Sequence, residues 1–203
     1  MIVIIDYGLG NVRSIYAKFV QIGENVKISG SFADIESADK IILPGVGAFD
    51  AGMENLRNLE IIPLLNKKVN HERIPILGIC LGMQILTTKS DEGISSGLGY
   101  VDAETVRFKF DPSTSLNIPH MGWNTIQFRQ DTPLLEQIPD NSRFYFVHSF
   151  HVQCFEKNNI IAITNYGYDY PSIIQKENIY GVQFHPEKSH SQGIQLLKNF
   201  AHL

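Results

Sequence analysis

One cysteine of the chain lies in a setting that favours nucleophilic chemistry. Cys80 stands in the sequence Gly78-Ile79-Cys80-Leu81-Gly82, which follows a short apolar run and opens a helix-like segment. Glycines two positions before and after the cysteine permit a sharp strand-to-helix turn, because side chains there would crowd the reversal. The turn leaves the thiol at a helix N-terminus, where backbone N–H groups favour a thiolate and can hold an oxyanion. The alternative is a buried structural cysteine.

A histidine far along the chain has the context of a catalytic base. His185 follows a strand-like segment, precedes Pro186 and lies two residues before Glu187. This spacing lets the carboxylate bond the ring nitrogen that faces away from the thiol, which fixes the tautomer and stabilises the imidazolium. Alone, His-Pro-Glu is typical of an ordinary turn. Together with the cysteine turn, it predicts a triad of Cys80, His185 and Glu187.

The composition is that of a globular protein and gives no sign of a nucleic-acid or membrane partner. Of the 203 residues, 43% are hydrophobic and 19% are charged, and the net charge is −4. The longest apolar runs, such as residues 1–5, are far shorter than the roughly 18 residues of a spanning helix. The N-terminus lacks the pattern of a signal peptide. Cys80 and Cys154 lack the spacing of a disulfide framework or a metal site. We expect a cytoplasmic protein that binds no metal.

The elements that must position these residues alternate in type up to residue 90. Strand-like segments are predicted at 1–5, 26–28, 40–43 and 76–79, and helix-like segments at 12–20, 50–56, 61–69 and 81–88. Strand and helix in alternation predict an α/β fold, with a doubly wound, mostly parallel central sheet and helices on both faces. The cysteine turn would then lie at the carboxyl end of a buried strand.

The second half of the chain has a different pattern. Strand-like segments follow one another at 106–110, 125–128, 144–147, 152–155, 160–164, 173–175 and 180–184, and a helix is predicted at 192–203. Pro, Asn, Asp and Gly separate them, which indicates antiparallel strands added to the parallel core. No linker or repeat divides the chain, so we expect one domain over residues 1–203.

Two motifs resemble those of the class I glutamine amidotransferases. They are Gly-Ile-Cys-Leu-Gly-Met-Gln from residue 78 and Gly-Val-Gln-Phe-His-Pro-Glu-Lys-Ser from residue 181. Five further segments are similar to the glutaminase subunits of imidazole glycerol phosphate synthase; they lie at 6–11, 43–49, 119–124, 144–149 and 196–200. The resemblance extends over nearly the whole chain and implies a glutaminase that needs no cofactor.

The resemblance implies a mechanism and a set of site residues. Cys80 would attack the side-chain amide of glutamine, His185 would pass a proton to the departing ammonia, and water would hydrolyse the thioester. The oxyanion hole would consist of the N–H of Leu81 and a donor near Val46 and Gly47, although the glycine-rich segment could be only a tight turn. The residues implied to line the glutamine site are Gln84, Glu92, Ser149 and Phe150, with Glu92 suited to the α-ammonium.

Ammonia made by this reaction needs a protected route to an acceptor. The chain has no room for an acceptor domain, so the resemblance implies a separate synthase partner, a (β/α)₈ barrel cyclase. The implied partner face consists of Asn11, Met121, Trp123, Tyr145 and Lys188. Without the family context, Met121 and Trp123 could equally be ordinary core residues.

Several alternatives stay open at this point. Phe150 replaces a tyrosine of the familiar subfamily, and residues 164–172 look more like paralogues that feed ammonia to an amidotransferase acting on a nucleotide or a surface sugar. A non-catalytic redox-sensing or chaperone module could share the fold, but a sensor needs neither His185 nor Glu187. A peptidase or esterase could share the cysteine turn, but Gln84 and Glu92 favour a free amino acid.

Overall fold

The computed structural model describes residues 1–111 and 113–203, which form an α/β structure. Its strands are β1 (Ile2–Ile5), β2 (Val26–Ser29), β3 (Lys40–Gly45), β4 (Ile76–Cys80), β5 (Lys89–Ser90), β6 (Ala103–Arg107), β7 (His120–Thr125), β8 (Gln127–Phe128), β9 (Arg143–His148), β10 (Phe150–Cys154), β11 (Ile160–Asn165), β12 (Asp169–Lys176) and β13 (Ile179–Val182). Its α-helices are α1 (Val12–Gln21), α2 (Phe32–Glu36), α3 (Phe49–Asn58), α4 (Ile62–Asn66), α5 (Leu81–Ile85) and α6 (His190–Ala201). A π-helical turn at Lys67–His71 extends α4, and short 3-10 turns lie at Pro133–Leu135, Lys157–Asn159 and Pro186–Lys188.

The central sheet carries the cysteine turn. In the described part of the chain it has eight strands in the order β2-β1-β3-β4-β13-β12-β11-β8. The first five are parallel to one another, and β12, β11 and β8 continue the sheet in antiparallel pairing. The prediction of a mostly parallel sheet with added antiparallel strands is confirmed.

Helices cover both faces of this sheet, because its strands are apolar on both sides. Ile2 and Ile4 of β1 point into a core shared with α1 and α6. Val3 and Ile5 point into a second core shared with α2, α3 and α4. The predicted doubly wound arrangement is therefore confirmed. None of the helices in 1–111 and 113–203 has the length and apolar character that crossing a bilayer requires.

Two smaller sheets lie beside the carboxyl end of the parallel strands. One has the order β10-β6-β5, and the other pairs β7 with β9 in antiparallel fashion. The β9 strand is fastened to the segment that follows β13, because the Tyr145 carbonyl accepts from the His185 N–H at 2.9 Å. The Tyr145 N–H in turn donates to Ser189 Oγ at 3.0 Å. These bonds hold the His185 segment against β9.

Some predicted boundaries were wrong where side chains compete for backbone groups. The helix predicted at 81–88 ends at Ile85. The Thr87 hydroxyl donates to the Gln84 carbonyl at 2.7 Å, and the Thr88 N–H donates to the Ala103 carbonyl at 2.9 Å. These bonds end the helix, as threonine side chains often do.

Other predictions were displaced or missed. The strand predicted at 106–110 lies at Ala103–Arg107, and the strand predicted at 125–128 is split between β7 and β8. The short helix α2 was not predicted, although its Ser31 N-cap accepts from the Asp34 N–H at 3.3 Å. Serine three residues before an acidic residue is a helix-start signal that could have revealed it.

Candidate active site

The cysteine turn has the strained geometry that the glycines predicted. Cys80 is the last residue of β4, and α5 begins at the next residue. Its φ of 55° lies in the left-handed region, which is rare for a residue with a side chain and is found at functional sites. A Cβ on Gly82 would lie 1.8 Å from the Leu43 carbonyl oxygen, and a Cβ on Gly78 would lie 2.7 Å from the Gly82 carbonyl. Both flanking positions therefore require glycine.

A cavity of about 300 Å³ opens at this turn. It is lined by Val46, Gly47, Cys80, Leu81, Gln84, Glu92, Pro119, Val147, His148, Ser149 and Phe150. The structure thus brings the cysteine together with every residue that the sequence assigned to the oxyanion hole and the substrate pocket. A larger groove of about 700 Å³ lies at the opposite, amino ends of β4 and β13, where Pro75 and Asn178 line it, and no cysteine reaches it.

His185 and Glu187 lie behind the cysteine as a buried pair. His185 Nδ1 is 2.9 Å from Glu187 Oε1, and Asn11 Nδ2 donates to the same oxygen at 3.4 Å. Within the described residues, His185 Nε2 has no hydrogen-bond partner. Burial alone would lower the pKa of His185, but the neighbouring Cys80 and Glu187 outweigh it and raise the pKa to about 10. The surroundings of His185 therefore favour the protonated ring, with Glu187 on one side of it and the sulfur of Cys80 on the other.

A second histidine reaches the cavity but cannot act as the base. His148 Nδ1 donates to the Phe150 carbonyl at 2.7 Å. Its Nε2 lies 3.2 Å from His120 Nδ1 and 3.1 Å from the Tyr170 hydroxyl. Burial lowers the pKa of His120 to about 4 and holds that of His148 well below its ordinary value. Both nitrogens of His148 are already bonded to other groups, so His185, whose Nε2 has no partner within the described residues, is the ring left to exchange a proton with the thiol.

Two of the predicted substrate residues are held firmly by the backbone. Gln84 Nε2 donates to the Phe150 carbonyl at 3.0 Å, which ties α5 to β10 at the cavity wall. Glu92 Oε2 accepts from the Phe49 N–H at 2.9 Å and thereby caps α3. The helix that Glu92 caps begins two residues after Gly47. Glu92, a predicted substrate residue, is therefore hydrogen-bonded to the backbone two residues after Gly47, a predicted oxyanion residue.

The five residues predicted to meet a partner lie together beside the cavity, with Met121, Trp123 and Lys188 exposed and Asn11 and Tyr145 half-buried. Met121 and Trp123 on β7 are 62% and 38% exposed, so the alternative that they are core residues is wrong. The Trp123 ring lies 6.0 Å from that of Tyr145, and Lys188 Nζ lies 5.6 Å from the Tyr145 ring. Asn11 touches Glu187, as described above. Met121 pairs in register with Val147, which lines the cavity, so this face is one strand away from the nucleophile.

The family described as glutamine amidotransferase class-I matches residues 3–203 of the chain. The chain belongs to this family. Its nucleophile turn, the buried His185–Glu187 pair and the small cavity are consistent with the amidotransferase fold, and the match covers all of them.

Individual relatives are similar over their full length. The chain is 52% identical to imidazole glycerol phosphate synthase subunit HisH 2 of Methanococcus maripaludis, with 98% of each chain covered. It is 46% identical to subunit HisH 1 of the same organism, with 100% of each covered. A chain in the structure of PurLQS from Thermotoga maritima matches with a TM-score of 0.76 at 18% identity, covering 99% of this chain and 97% of that one. The last likeness shows the fold alone.

One residue near the amidotransferase nucleophile was missed by the sequence analysis. Gln183 is fully buried, and its Nε2 donates to Cys80 Sγ at 3.8 Å. The only local signal was its place in the motif that carries His185, because the chain bends at residues 183 and 184 and strand alternation does not predict where the Gln183 side chain lies. His185 is conspicuous for its chemistry, whereas a buried glutamine just beyond a strand is not.

Glu187→Gln is expected to lower glutaminase activity by about 10²-fold, towards the lower end of what a positioned acid–base group contributes. The amide can still accept from His185 Nδ1, but it lacks the charge that raises the pKa of the imidazole. The alkaline limb of the pH–rate profile should therefore move to lower pH. The measurement is kcat/KM against pH for both proteins with their partner present. An unchanged alkaline limb would contradict the assignment of the orienting role to Glu187.

Proposed function

We propose that this chain is the glutaminase subunit of an imidazole glycerol phosphate synthase, in which it releases ammonia from glutamine for a cyclase subunit in histidine biosynthesis. The observation that carries the glutaminase chemistry is Cys80 on its strained turn, facing a small cavity with the His185–Glu187 pair behind it. The full-length identity to two subunits of that name supports the pathway. The protein would act in the cytoplasm as one domain over residues 1–203.

The reaction follows from the positions of the acid, base and nucleophile. The Cys80 thiolate attacks the side-chain amide carbon of glutamine, and the N–H groups of Leu81 and of the Val46–Gly47 segment receive the oxyanion. The His185 imidazolium gives its proton to the nitrogen, the C–N bond breaks and ammonia leaves. A glutamyl thioester remains on Cys80. The neutral imidazole then takes a proton from water, the resulting hydroxide attacks the thioester, and the C–S bond breaks to return the thiolate and glutamate.

The cavity is suited to a free amino acid. Its volume of about 300 Å³ lies at the small end of the range for ligand sites. The Glu92 carboxylate offers a negative charge for the α-ammonium, and Gln84, Ser149 and Phe150 form the walls. We expect no cofactor in this chemistry, because a thiolate, an imidazolium and backbone donors supply every step.

The exposed face of Met121, Trp123, Tyr145, Lys188 and Asn11 is the proposed docking surface for the cyclase. An aromatic cluster with a cation above it is the type of surface that forms the centre of protein interfaces. Its distance of one strand from the cavity gives the partner a route to influence the reaction. Ammonia released at Cys80 would also emerge close to this face.

The isolated chain is expected to hydrolyse glutamine slowly, and the complete complex with acceptor substrate to be faster by two orders of magnitude or more. The physical reason is the Val46–Gly47 segment, where rotation of one peptide decides whether an N–H or a C=O faces the oxyanion. One oxyanion donor is typically worth about 10²–10³ in rate. Glutamate release in steady state, measured for the chain alone and with a cyclase subunit and its substrate, tests both the activity and the partner.

Gly47→Pro tests whether the increase in rate can be lost while binding to the partner is kept. Gly47 has a φ of 118°, which proline cannot adopt, and proline also lacks the N–H. The variant should bind the partner normally but lose the increase in rate. A free chain that already turns over at the rate of the complex would contradict the switching model while leaving the glutaminase chemistry intact.

A second candidate pathway is favoured by one observation. Methanococcus maripaludis has two named copies, and this chain is closer to copy 2, at 52% identity, than to copy 1, at 46%. Both copies carry the name of a synthase subunit, so the feature that favours the second pathway is the segment 164–172, which resembles the sugar-amidating paralogues. Complementation of a histidine auxotroph that lacks its own glutaminase subunit distinguishes the two. Growth without histidine supports the synthase, and failure with an active, folded protein favours amidation of a sugar.

A further inference from the structure

The side chain of Gln183 is a buried amide that accepts from Gln84 on one side and faces the nucleophile on the other. It has no solvent exposure, and its Nε2 lies 3.8 Å from Cys80 Sγ. We propose that Gln183 is a further catalytic residue, whose N–H group stabilises the Cys80 thiolate each time it forms. This inference rests on the proposed glutaminase function and adds a participant to its triad.

The orientation of the Gln183 amide is fixed by a chain of bonds that begins at the backbone. The Phe150 carbonyl can only accept a hydrogen bond, so the atom of Gln84 that faces it at 3.0 Å must be the nitrogen. The same nitrogen lies 3.3 Å from Gln183, and therefore it faces the Gln183 oxygen. The Gln183 nitrogen must then point the other way, towards Cys80 Sγ. A flipped amide would set two N–H groups against each other.

The main chain of Gln183 is held as firmly as its side chain. Its N–H donates to the Ser172 carbonyl at 2.9 Å, which continues the pairing of β12 with β13 one residue beyond the end of β13. A donor held in this way needs no reorganisation when charge develops on the sulfur, which is the condition for strong electrostatic stabilisation.

Two neighbours of the sulfur favour opposite protonation states. The Val147 carbonyl lies 3.9 Å from Sγ and can only accept, so it favours the neutral thiol, whose S–H can donate to it. Gln183 can only donate through its nitrogen, so it favours the thiolate. A neutral thiol is a weak acceptor, and a fully buried N–H that faced nothing better would be costly. The amide is best satisfied when the sulfur carries a charge.

The proposed interaction matters at two points of the reaction. Before attack, the N–H stabilises the thiolate nucleophile together with the His185 imidazolium. In the thioester the sulfur is uncharged and the interaction weakens. When hydroxide derived from water attacks the thioester carbon, the C–S bond breaks and its electron pair returns to sulfur. The N–H then stabilises the leaving thiolate.

The test is the pH dependence of Cys80 alkylation by iodoacetamide, which needs neither glutamine nor a partner. Gln183→Met keeps a long unbranched side chain but removes the donor, and it should raise the pH midpoint of alkylation by about one unit, the size expected for a hydrogen bond to a charged group. Mass spectrometry of the Cys80 peptide isolates this site. Burial raises the pKa of the Cys154 thiol to about 12, so the second cysteine reacts slowly.

Two further variants keep the test decisive. Gln183→Glu preserves the shape and still accepts from Gln84 but sets a carboxylate against the sulfur, and it should raise the midpoint further than Gln183→Met. Gln153→Met makes the same replacement at an exposed position of β10, and its midpoint should equal that of the wild type. Glutamine turnover should fall about tenfold in Gln183→Met and more in Gln183→Glu, a loss that corresponds to the rise of about one unit in the midpoint.

The inference is overturned if both Gln183 variants alkylate with the wild-type midpoint, which would make Gln183 a packing residue only. That result would leave the glutaminase function standing. The function itself fails on a different measurement, namely if glutamine hydrolysis survives the loss of Cys80.

Discussion

Cys80→Ala is expected to abolish glutamine hydrolysis, with a loss greater than about 10³-fold, as for other catalytic nucleophiles. Without the sulfur no thioester can form, and neither the oxyanion donors nor His185 can supply a substitute. Alanine should preserve the turn, because the φ of 55° at this position costs alanine no more than it costs cysteine. Glutamate release in the complete complex is the measurement.

Two controls make this result specific. The variant should bind the cyclase subunit with unchanged affinity and should unfold at nearly the wild-type temperature, since the missing sulfur lines a cavity. Cys154→Ala removes the other cysteine, which lies on β10 away from the cavity lining, and should retain glutaminase activity. Hydrolysis near the wild-type rate in Cys80→Ala would remove this residue from the mechanism.

His185→Asn is expected to be as damaging as the loss of Cys80, because the two residues act as one unit and such effects do not add. The double variant Cys80→Ala/His185→Asn should be no slower than either single variant. The reason is geometric: His185 is held by Glu187 through Nδ1 and keeps Nε2 without a partner within the described residues, whereas both nitrogens of His148 are bonded to other groups.

His71→Asn makes the same replacement at an exposed position and should retain activity. The two single variants, the double variant and His71→Asn are each compared with the wild type by glutamate release at saturating glutamine with the partner present. A double variant that is slower by the product of the two single effects would show that the residues act independently, which would contradict the triad.

The parts of the site that the sequence predicted are those that short segments encode. The cysteine turn needs glycines two residues away on each side, and Glu187 reaches His185 across two residues. The parallel half of the sheet could be predicted equally well, because each strand is a short apolar run followed by an amphipathic helix.

The missed parts depend on contacts between distant segments. Gln183 and Cys80 lie 103 residues apart, and they meet only because β13 pairs with β4 in a register that sets Val182 opposite Ile79. No local pattern specifies that register. The strand boundaries of the second half shifted for the same reason, since short antiparallel strands are selected by their partners and not by their own composition.

In the sequence, residues 164–172 depart from the familiar pattern and look more like paralogues that feed ammonia to an amidotransferase acting on a nucleotide or a surface sugar. In the structure Tyr166, Tyr168 and Tyr170 pack around the Phe108 ring, with centroid separations of 5.7, 5.9 and 5.2 Å. The Tyr170 hydroxyl also joins the neutral histidine network next to the cavity. The segment therefore packs behind the proposed substrate pocket and also supports β7, which carries Met121 and Trp123, because Asn124 Nδ2 donates to the Asn165 carbonyl at 2.9 Å.

The anchoring of the proposed oxyanion segment limits how slowly the protein can respond to a partner. Gly45 is paired with Cys80 in the sheet, and the Phe49 N–H is held by Glu92, so only the three residues between these two anchors are left to rotate. Rearrangements of so few residues belong to the nanosecond-to-microsecond range, whereas domain rotations take microseconds to milliseconds. The proposed switch would therefore follow the arrival of a partner without delay, and ammonia production would start and stop within a single catalytic turnover of the neighbouring enzyme.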